Sequence, residues 1–127
     1  MGATGGVNYK TEKWYRQLPS FDIIIDGAGG NGFGSLVRLL NMGGRLVFYG
    51  GTQGSWPKIL PQHLFFKQAS ILGSTMGSPK EFSLLCGFVS KNTIVPIVDS
   101  VFSIHSFKKA FAQLNSLQKM GKIILSF

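Results

Sequence analysis

The sequence predicts an α/β domain with a mostly parallel sheet flanked by helices. Three predominantly apolar runs, at residues 21–26, 45–49 and 69–75, predict strands, and each leads into glycine or other small residues. The first run predicts a strand buried on both faces. Helical patterns separate these runs, and strands that alternate with helices form parallel sheets. In such sheets the carboxyl ends of the strands lie at one edge, where ligands bind. The sequence therefore places a candidate binding site after these three runs.

The composition is that of a folded domain. The 127 residues are 44% hydrophobic and include 17 glycines, and this length suffices for one domain with its own core. No apolar run approaches the roughly 20 residues that cross a bilayer, and residues 1–10 lack the apolar core of a signal peptide. We therefore expect a cytoplasmic protein without a membrane partner. The net charge is +8, but Lys and Arg are scattered, which argues against a nucleic-acid partner. An anionic small ligand would be attracted by such a field as readily.

Cysteine and histidine give no metal-ligand spacing. Cys86 is the single cysteine and falls in an apolar helical pattern, which indicates a structural thiol and excludes a disulfide within the chain. His63 and His105 are widely separated. The sequence therefore predicts no zinc site.

Helices are predicted between and after the strands. Thr11 is a candidate cap for a short helix over residues 11–18, and a second helix is expected over residues 32–42, ended by Gly43–Gly44. The inner face of this second helix would contain Phe33, Leu36, Val37 and Leu40. Pro61 opens a short helix before the third strand.

The clearest helix start is at Ser78, where Pro79 and Glu81 complete a capping signature. The helix is expected to run to about residue 91, with an inner face of Phe82, Leu85, Phe88 and Val89. A weak strand at residues 98–104 and a final strand at 121–127 flank another helix, which begins at Ser106. Its inner face would contain Phe107, Ala110, Phe111, Leu114 and Leu117.

The stretch FDIIIDGAGGNGFG, at residues 21–34, shows a further pattern. Gly27, Gly29 and Gly32 fit G-x-G-x-x-G between a predicted strand and a predicted helix, as in a dinucleotide-binding turn. In such a turn, backbone N–H groups and the helix N-terminus hold a pyrophosphate. A true fingerprint also has an acid about 20 residues further on, whereas RLVFYGGTQG lies there, without Asp or Glu. A plain glycine-rich turn is therefore the alternative.

Three blocks, in this order and spacing, resemble the medium-chain dehydrogenase/reductase superfamily, closest to its quinone-oxidoreductase and zinc-type alcohol-dehydrogenase-like branch. They are MGATGGVNYK with FDIIIDGAGG, then LLNMGGRLVFYGG, then ILGSTMGS followed by KKAFAQL and GKIIL. The resemblance covers nearly the whole chain and implies a Rossmann-like sheet that lacks the first strands of the full fold. FDIIIDGAGG would correspond to the fourth strand, so the G-x-G-x-x-G match would be coincidental.

The resemblance implies the C-terminal, cofactor-binding part of an NAD(P)H-dependent oxidoreductase. Such a part would be inactive alone, because the catalytic domain and the pyrophosphate loop would be absent. Residues 1–127 would form one partial nucleotide-binding domain, with residues 96–127 resembling the family's return toward the catalytic domain. The branch favours NADP, with NAD possible. In related enzymes the strand that resembles residues 69–76 pairs across a twofold axis, so we expect a homodimer.

The resemblance also implies which residues contact the cofactor, and it assigns no catalytic residue. On the adenosine side these are Tyr9, Gly27, Ala28 and Gly29. On the nicotinamide side they are Gly50, Gly51, Thr52, Ser74, Thr75 and Met76. Lys119 or Lys122 would reach a 2′-phosphate. The alternative for the glycines is turn formation, for Tyr9 packing, and for the lysines a solvated helix end.

Two other functions are compatible with the sequence. The chain would be a catalytically silent α/β dimerisation or interaction module if it kept the sheet without binding a nucleotide. It would be a complete small nucleotide-binding domain if Gly27, Gly29 and Gly32 did form a pyrophosphate turn.

Overall fold

The computed structural model describes residues 2–116 and 118–127. The chain forms two compact units, Met1–Met76 and Gly77–Phe127. In the described residues, no helix is long and apolar enough to cross a membrane.

The first unit contains a three-stranded parallel sheet. Its strands are β1 (Phe21–Asp26), β2 (Leu40–Phe48) and β3 (Ser70–Gly73), in the order β1-β2-β3. Ile24, Leu46 and Ile71 lie side by side across the three strands, and Ile25, Val47 and Leu72 form the next row. Because all three strands run in the same direction, their carboxyl ends share one edge. This confirms the predicted parallel α/β sheet.

Two short helices cover one face of this sheet. They are α1 (Phe33–Arg38) and α2 (Gln62–Phe65). The core consists of the buried residues Phe33, Val37, Leu40 and Leu46. Half-buried apolar residues pack around them, among them Ile24, Leu36, Phe48, Leu64 and Ile71.

The helix predicted over residues 32–42 ends earlier, at Arg38. Leu40, which was predicted on its inner face, belongs to β2 and pairs with Phe21. Leu40 still packs in the core. The same spacing of apolar residues is therefore compatible with a longer helix and with a short helix followed by a strand. The pairing of β1 with β2 then shifts register, and Gly43, with a φ of 70°, lies in the shifted stretch. The side chain of Lys67 stabilises this end of the helix by donating to the carbonyls of Arg38 and Leu40.

The other face of the sheet is exposed, contrary to the prediction that the first strand is buried on both faces. Ile23 and Ile25 are 63% and 70% exposed, and Leu72 is 46% exposed. Their neighbours Ile24 and Ile71 point to the opposite face and pack against the core. The helix predicted over residues 11–18 is also shorter, a 3-10 turn at Trp14–Gln17.

The second unit contains α3 (Pro79–Lys91), β4 (Val98–Ser103), α4 (Phe107–Leu114) and β5 (Lys122–Ser126). Strands β4 and β5 pair in parallel. The predicted capping box is confirmed, because the Ser78 hydroxyl accepts from the Glu81 N–H and the Glu81 carboxylate accepts from the Ser78 N–H.

The predicted inner faces of these helices are largely exposed. Phe82, Leu85 and Phe88 on α3 are all more than half exposed. Cys86, predicted to be a structural thiol, is also exposed. On α4 only Ala110 is buried. Leu117, predicted on the same face of α4, lies outside the described residues. Periodicity identified the apolar faces, but it does not reveal whether anything covers them.

Candidate functional site

The candidate site begins at the turn after β1, which Asp26 organises. Asp26 is 7% exposed. Its two carboxylate oxygens accept from the backbone N–H groups of Ala28 at 3.0 Å and Gly29 at 2.9 Å. A carboxylate satisfied by backbone donors stabilises a tight turn. Sequence reasoning did not assign this residue, although an acid at the end of an apolar strand and before glycines was a usable signal.

The same hydrogen bonds explain why this turn is a poor pyrophosphate site. In a dinucleotide fingerprint the turn N–H groups face the phosphates, but those of Ala28 and Gly29 donate to Asp26. The Gly30 N–H donates to the carbonyl of Gly54 at 3.1 Å. A buried carboxylate would also repel a phosphate. The geometry therefore favours the interpretation of the G-x-G-x-x-G match as coincidental.

The turn after β1 packs directly against the loop after β2. A Cβ atom placed on Gly50 would lie 2.5 Å from the carbonyl oxygen of Gly27, and one on Gly27 would lie 2.6 Å from the Tyr49 hydroxyl. Gly29 has a φ of +69° and lies against Gly51. Only glycine fits the backbone approach at Gly50, whereas the atom that faces Gly27 is the end of a side chain. The two loops are also joined by the Tyr49 N–H, which donates to the Asp26 carbonyl at 3.0 Å.

A cavity of about 440 Å³ opens at the carboxyl ends of β2 and β3. It is lined by Phe48, Tyr49, Gly50, Gly51, Trp56, Gly73, Ser74 and Thr75. Its volume lies within the range of small-molecule sites, about 300–1,000 Å³. Among these lining residues, Tyr49 alone has an ionisable side chain. The site can bind and orient a ligand, but its lining offers no carboxylate or imidazole for proton transfer.

The structure brings together some of the predicted cofactor-binding residues. Gly50, Gly51, Ser74 and Thr75 line the cavity, although they lie in two separate loops. Gly27, Ala28 and Gly29 form the adjoining turn rather than the lining.

The remaining predicted residues do not line the cavity. Thr52 is exposed in the loop after β2. Tyr9 is 61% exposed, and Met76 is 98% exposed with a φ of 46°. Lys119 donates to the carbonyl of Leu114 at the end of α4. This contact fits the alternative in which the lysine lies at a helix end.

Trp56 lines the cavity and was missed by sequence reasoning. Its ring stacks on that of Phe33, with centroids 3.9 Å apart and planes 3° apart. It also meets the Phe48 ring edge to face at 4.7 Å. A tryptophan inside a loop rich in glycine and proline, just after a strand, was the signal that could have identified it.

Metal-ligating side chains are not clustered within the described residues. Residues 2–116 and 118–127 contain no group of three or more His, Cys, Asp or Glu side chains close enough to hold a metal.

Lowered carboxyl pKa values occur outside the cavity lining. Hydrogen bonds from Ser78 hold the pKa of Glu81 below its usual range, and the Met120 N–H does so for Asp99.

The parallel sheet, its helices and a glycine-lined cavity at the strand ends define a Rossmann-like α/β fold. A family model described as zinc-binding dehydrogenase matches residues 1–125, and the chain belongs to this family. This confirms the resemblance to medium-chain dehydrogenases, and the matched part is the C-terminal portion of the relatives.

Two curated relatives and one solved structure are similar to the chain. The zinc-type alcohol dehydrogenase-like protein YogA of Leptosphaeria maculans is 30% identical over 98% of this chain and 38% of its own length. Quinone oxidoreductase-like protein 2 of Bos taurus is 27% identical over 98% of this chain and 40% of its own length. The crystal structure of an NAD-dependent alcohol dehydrogenase has a TM-score of 0.86 at 26% identity, over 99% of this chain and 38% of that chain. The chain thus spans about two fifths of the length of these relatives.

Proposed function

We propose that the chain is the cofactor-binding part of an NAD(P)H-dependent oxidoreductase of the quinone-reductase or alcohol-dehydrogenase type. The observation that carries this proposal is the glycine-lined cavity at the carboxyl ends of β2 and β3. Open α/β sheets bind ligands at this edge. The nicotinamide ring, when bound, would supply the hydride, and the chain's own residues would position it.

The cavity lining suits the flat, polar end of such a cofactor. A Cβ atom placed on Gly51 would have no neighbour within 4 Å, so the backbone here is open to a ligand. The hydroxyls of Ser74 and Thr75 supply donors and acceptors on the opposite loop. We assign Thr52 and Met76 to the approach to this end.

The adenosine half of the cofactor would extend past the turn formed by Gly27, Ala28 and Gly29 toward Tyr9. This turn has few free N–H donors, because Asp26 takes two of them. Pyrophosphate binding therefore requires donors from elsewhere. Binding by the chain alone should be weak, and the chain should have no catalytic activity by itself.

NADP is the proposed cofactor, with NAD as the alternative. The chain carries 13 Lys and Arg against five Asp and Glu, and this excess favours the ligand with the additional phosphate. We also propose that residues 96–127 return toward a catalytic domain, within one partial nucleotide-binding domain of residues 1–127. The proposed location is the cytoplasm.

Calorimetric titration of NADPH and NADH into the purified chain tests the proposal. We expect saturable but weak binding, with a Kd between the micromolar and millimolar ranges, weakened further at high salt because the ligand is anionic. Gly51→Ala should raise Kd about tenfold by placing a methyl group in the cavity, since tenfold corresponds to about 1.4 kcal/mol. Gly87→Ala is the matched control, because a Cβ there also has no neighbour within 4 Å and Gly87 lies on α3. No saturable binding into the millimolar range would refute the proposal.

A second candidate function is that of a dimerisation or interaction module. It is favoured by the exposed apolar residues Ile23, Ile25 and Leu72 on one face of the first unit's sheet. Strand β3 is also an edge strand, since within that sheet it pairs with β2 alone. An edge strand with unpaired backbone groups invites pairing with another chain.

We propose that a homodimer forms through residues 69–76. Light scattering coupled to gel filtration should give twice the monomer mass of 13.8 kDa. Leu72→Lys should shift the mass to that of the monomer, whereas Val95→Lys, at a residue 79% exposed in the second unit, should not. A monomer mass that does not change with concentration would refute the dimer.

A further inference from the structure

Trp56 is the largest side chain in the cavity lining, and only part of its surface is used in packing. Phe33, which is fully buried, covers one face of the indole ring by stacking on it. Phe48 contacts the indole at a right angle. Even so, 39% of Trp56 remains exposed. The second face of the indole is the part of the ring that the Phe33 stack leaves uncovered, and Trp56 lines the cavity.

The surroundings hold this ring in a fixed position. Phe33 is anchored in the core with Val37 and Leu46, and the plane of Trp56 deviates from that of Phe33 by only 3°. The loop that carries Trp56 is tied to the turn after β1, because the Gly30 N–H donates to the Gly54 carbonyl at 3.1 Å. A rigid aromatic plane at a cavity wall loses little conformational entropy when a ring stacks on it.

We infer that Trp56 forms a stacking subsite for a planar conjugated ring, and that this ring is the nicotinamide of the cofactor. This inference rests on the proposed function. The bound ring would add a third ring to the Phe33–Trp56 stack, at the contact distance of about 3.5–4.0 Å typical of carbon atoms. Stacking on Trp also suits the positively charged, oxidised nicotinamide, because the indole face is electron-rich.

The position of Trp56 favours the nicotinamide over the adenine. Trp56 shares the cavity with Gly50, Gly51, Ser74 and Thr75, which are the residues assigned to the nicotinamide side. Tyr9, assigned to the adenosine side, does not line the cavity. Trp56 is therefore a positioning residue that would set the plane of the ring without taking part in proton transfer.

The experiment uses the fact that the chain has two tryptophans, Trp14 and Trp56. In the variant Trp14→Phe, all indole fluorescence comes from Trp56. Titration with NADPH should quench this emission saturably and sensitise the fluorescence of the reduced nicotinamide, with the same Kd as calorimetry. The 2′-phosphorylated form of ADP-ribose, which lacks the nicotinamide, should bind without comparable quenching.

A second variant measures the energetic effect. Trp56→Leu in the same background should raise Kd for NADPH about tenfold, within the usual range for loss of ring stacking. It should leave Kd for the phosphorylated ADP-ribose unchanged. Trp56→Phe keeps an aromatic plane and should retain most of the affinity. Because Trp56 also packs on Phe33, thermal unfolding must confirm that each variant is folded. The quenching experiment in Trp14→Phe does not depend on this control, because it leaves Trp56 unchanged.

The outcomes separate this inference from the proposed function. NADPH binding without quenching of Trp56, or equal affinity in a folded Trp56→Leu variant, would overturn the stacking subsite and leave the proposed function intact. Equal quenching by the phosphorylated ADP-ribose would overturn the assignment to nicotinamide. If neither Trp14→Phe nor the wild-type chain binds nucleotide, the latter measured by calorimetry, both the stacking subsite and the proposed function are overturned.

Discussion

The substitution Gly50→Ala tests the contact between the turn after β1 and the loop after β2. The new Cβ atom would lie 2.5 Å from the carbonyl oxygen of Gly27, whereas ordinary contacts begin at 3.4 Å. One of the two backbone segments must therefore move by about 0.9 Å. Neither can move easily, because the Tyr49 N–H donates to the Asp26 carbonyl immediately beside them. We expect Gly50→Ala to destabilise the first unit.

The magnitude follows from the cost of overpacking. Forced backbone shifts cost about 1–3 kcal/mol in the free energy of unfolding. For a unit the size of Met1–Met76, each kcal/mol changes Tm by about 4–8 °C, so Tm should fall by roughly 4–24 °C. Gly51→Ala is the matched control, because a Cβ at this neighbouring position has no atom within 4 Å. Loss of unfolded-state entropy should stabilise this variant by about 0.4–1 kcal/mol.

The assay is thermal unfolding followed by circular dichroism, with both variants and the wild-type chain at the same concentration. The two alanine substitutions should change Tm in opposite directions, although they are chemically identical and adjacent. Equal Tm values for Gly50→Ala and Gly51→Ala would refute the close approach of the two loops.

Three further predictions concern stability. Leu46→Ala, at a core residue with no exposure, should lower the free energy of unfolding by about 2–5 kcal/mol, measured by urea denaturation; a loss below 1 kcal/mol would contradict the described core. Ser78→Ala removes the cap of α3 and should cost about 1 kcal/mol, seen as reduced helicity on heating; an unchanged melting curve would contradict the capping box. The pKa of Asp99 is lowered chiefly by the Met120 N–H, so its stabilisation is present above the ordinary value of 3.8 and is lost as pH falls below it. The Tm difference between the wild-type chain and Asp99→Asn should therefore shrink on acidification, and a constant difference from neutral pH to below that value would refute this linkage.

Local sequence signals predicted much of the fold because they depend on nearby residues. The capping box at Ser78 and Glu81 was readable because both of its hydrogen bonds join residues three positions apart. The first strand could be predicted because β1 contains three consecutive isoleucines and is followed by glycine. The end of α1 was not, since Leu40 reaches the same core from a strand as it would from a helix.

The candidate site was only partly predictable for a related reason. Gly50, Gly51, Ser74 and Thr75 were identified through a family resemblance, and the structure brings them to one cavity. Trp56 had no assigned role, because its importance depends on stacking against Phe33, which lies 23 positions earlier in the chain. Asp26 was likewise assigned no role, although its hydrogen bonds to the Ala28 and Gly29 N–H groups are local.

The sequence by itself determined the parallel α/β class, the order of the strands along the chain, the helix start at Ser78 and the family. These follow from hydrophobic runs, glycine placement and capping residues, which act over a few positions. The tertiary structure alone decided that Gly50 packs on Gly27 and that Trp56 forms a wall of the cavity. It also decided that Ile23 and Ile25 are exposed. These features arise from contacts between separate loops, and from which face of the sheet the helices cover, so local patterns do not encode them.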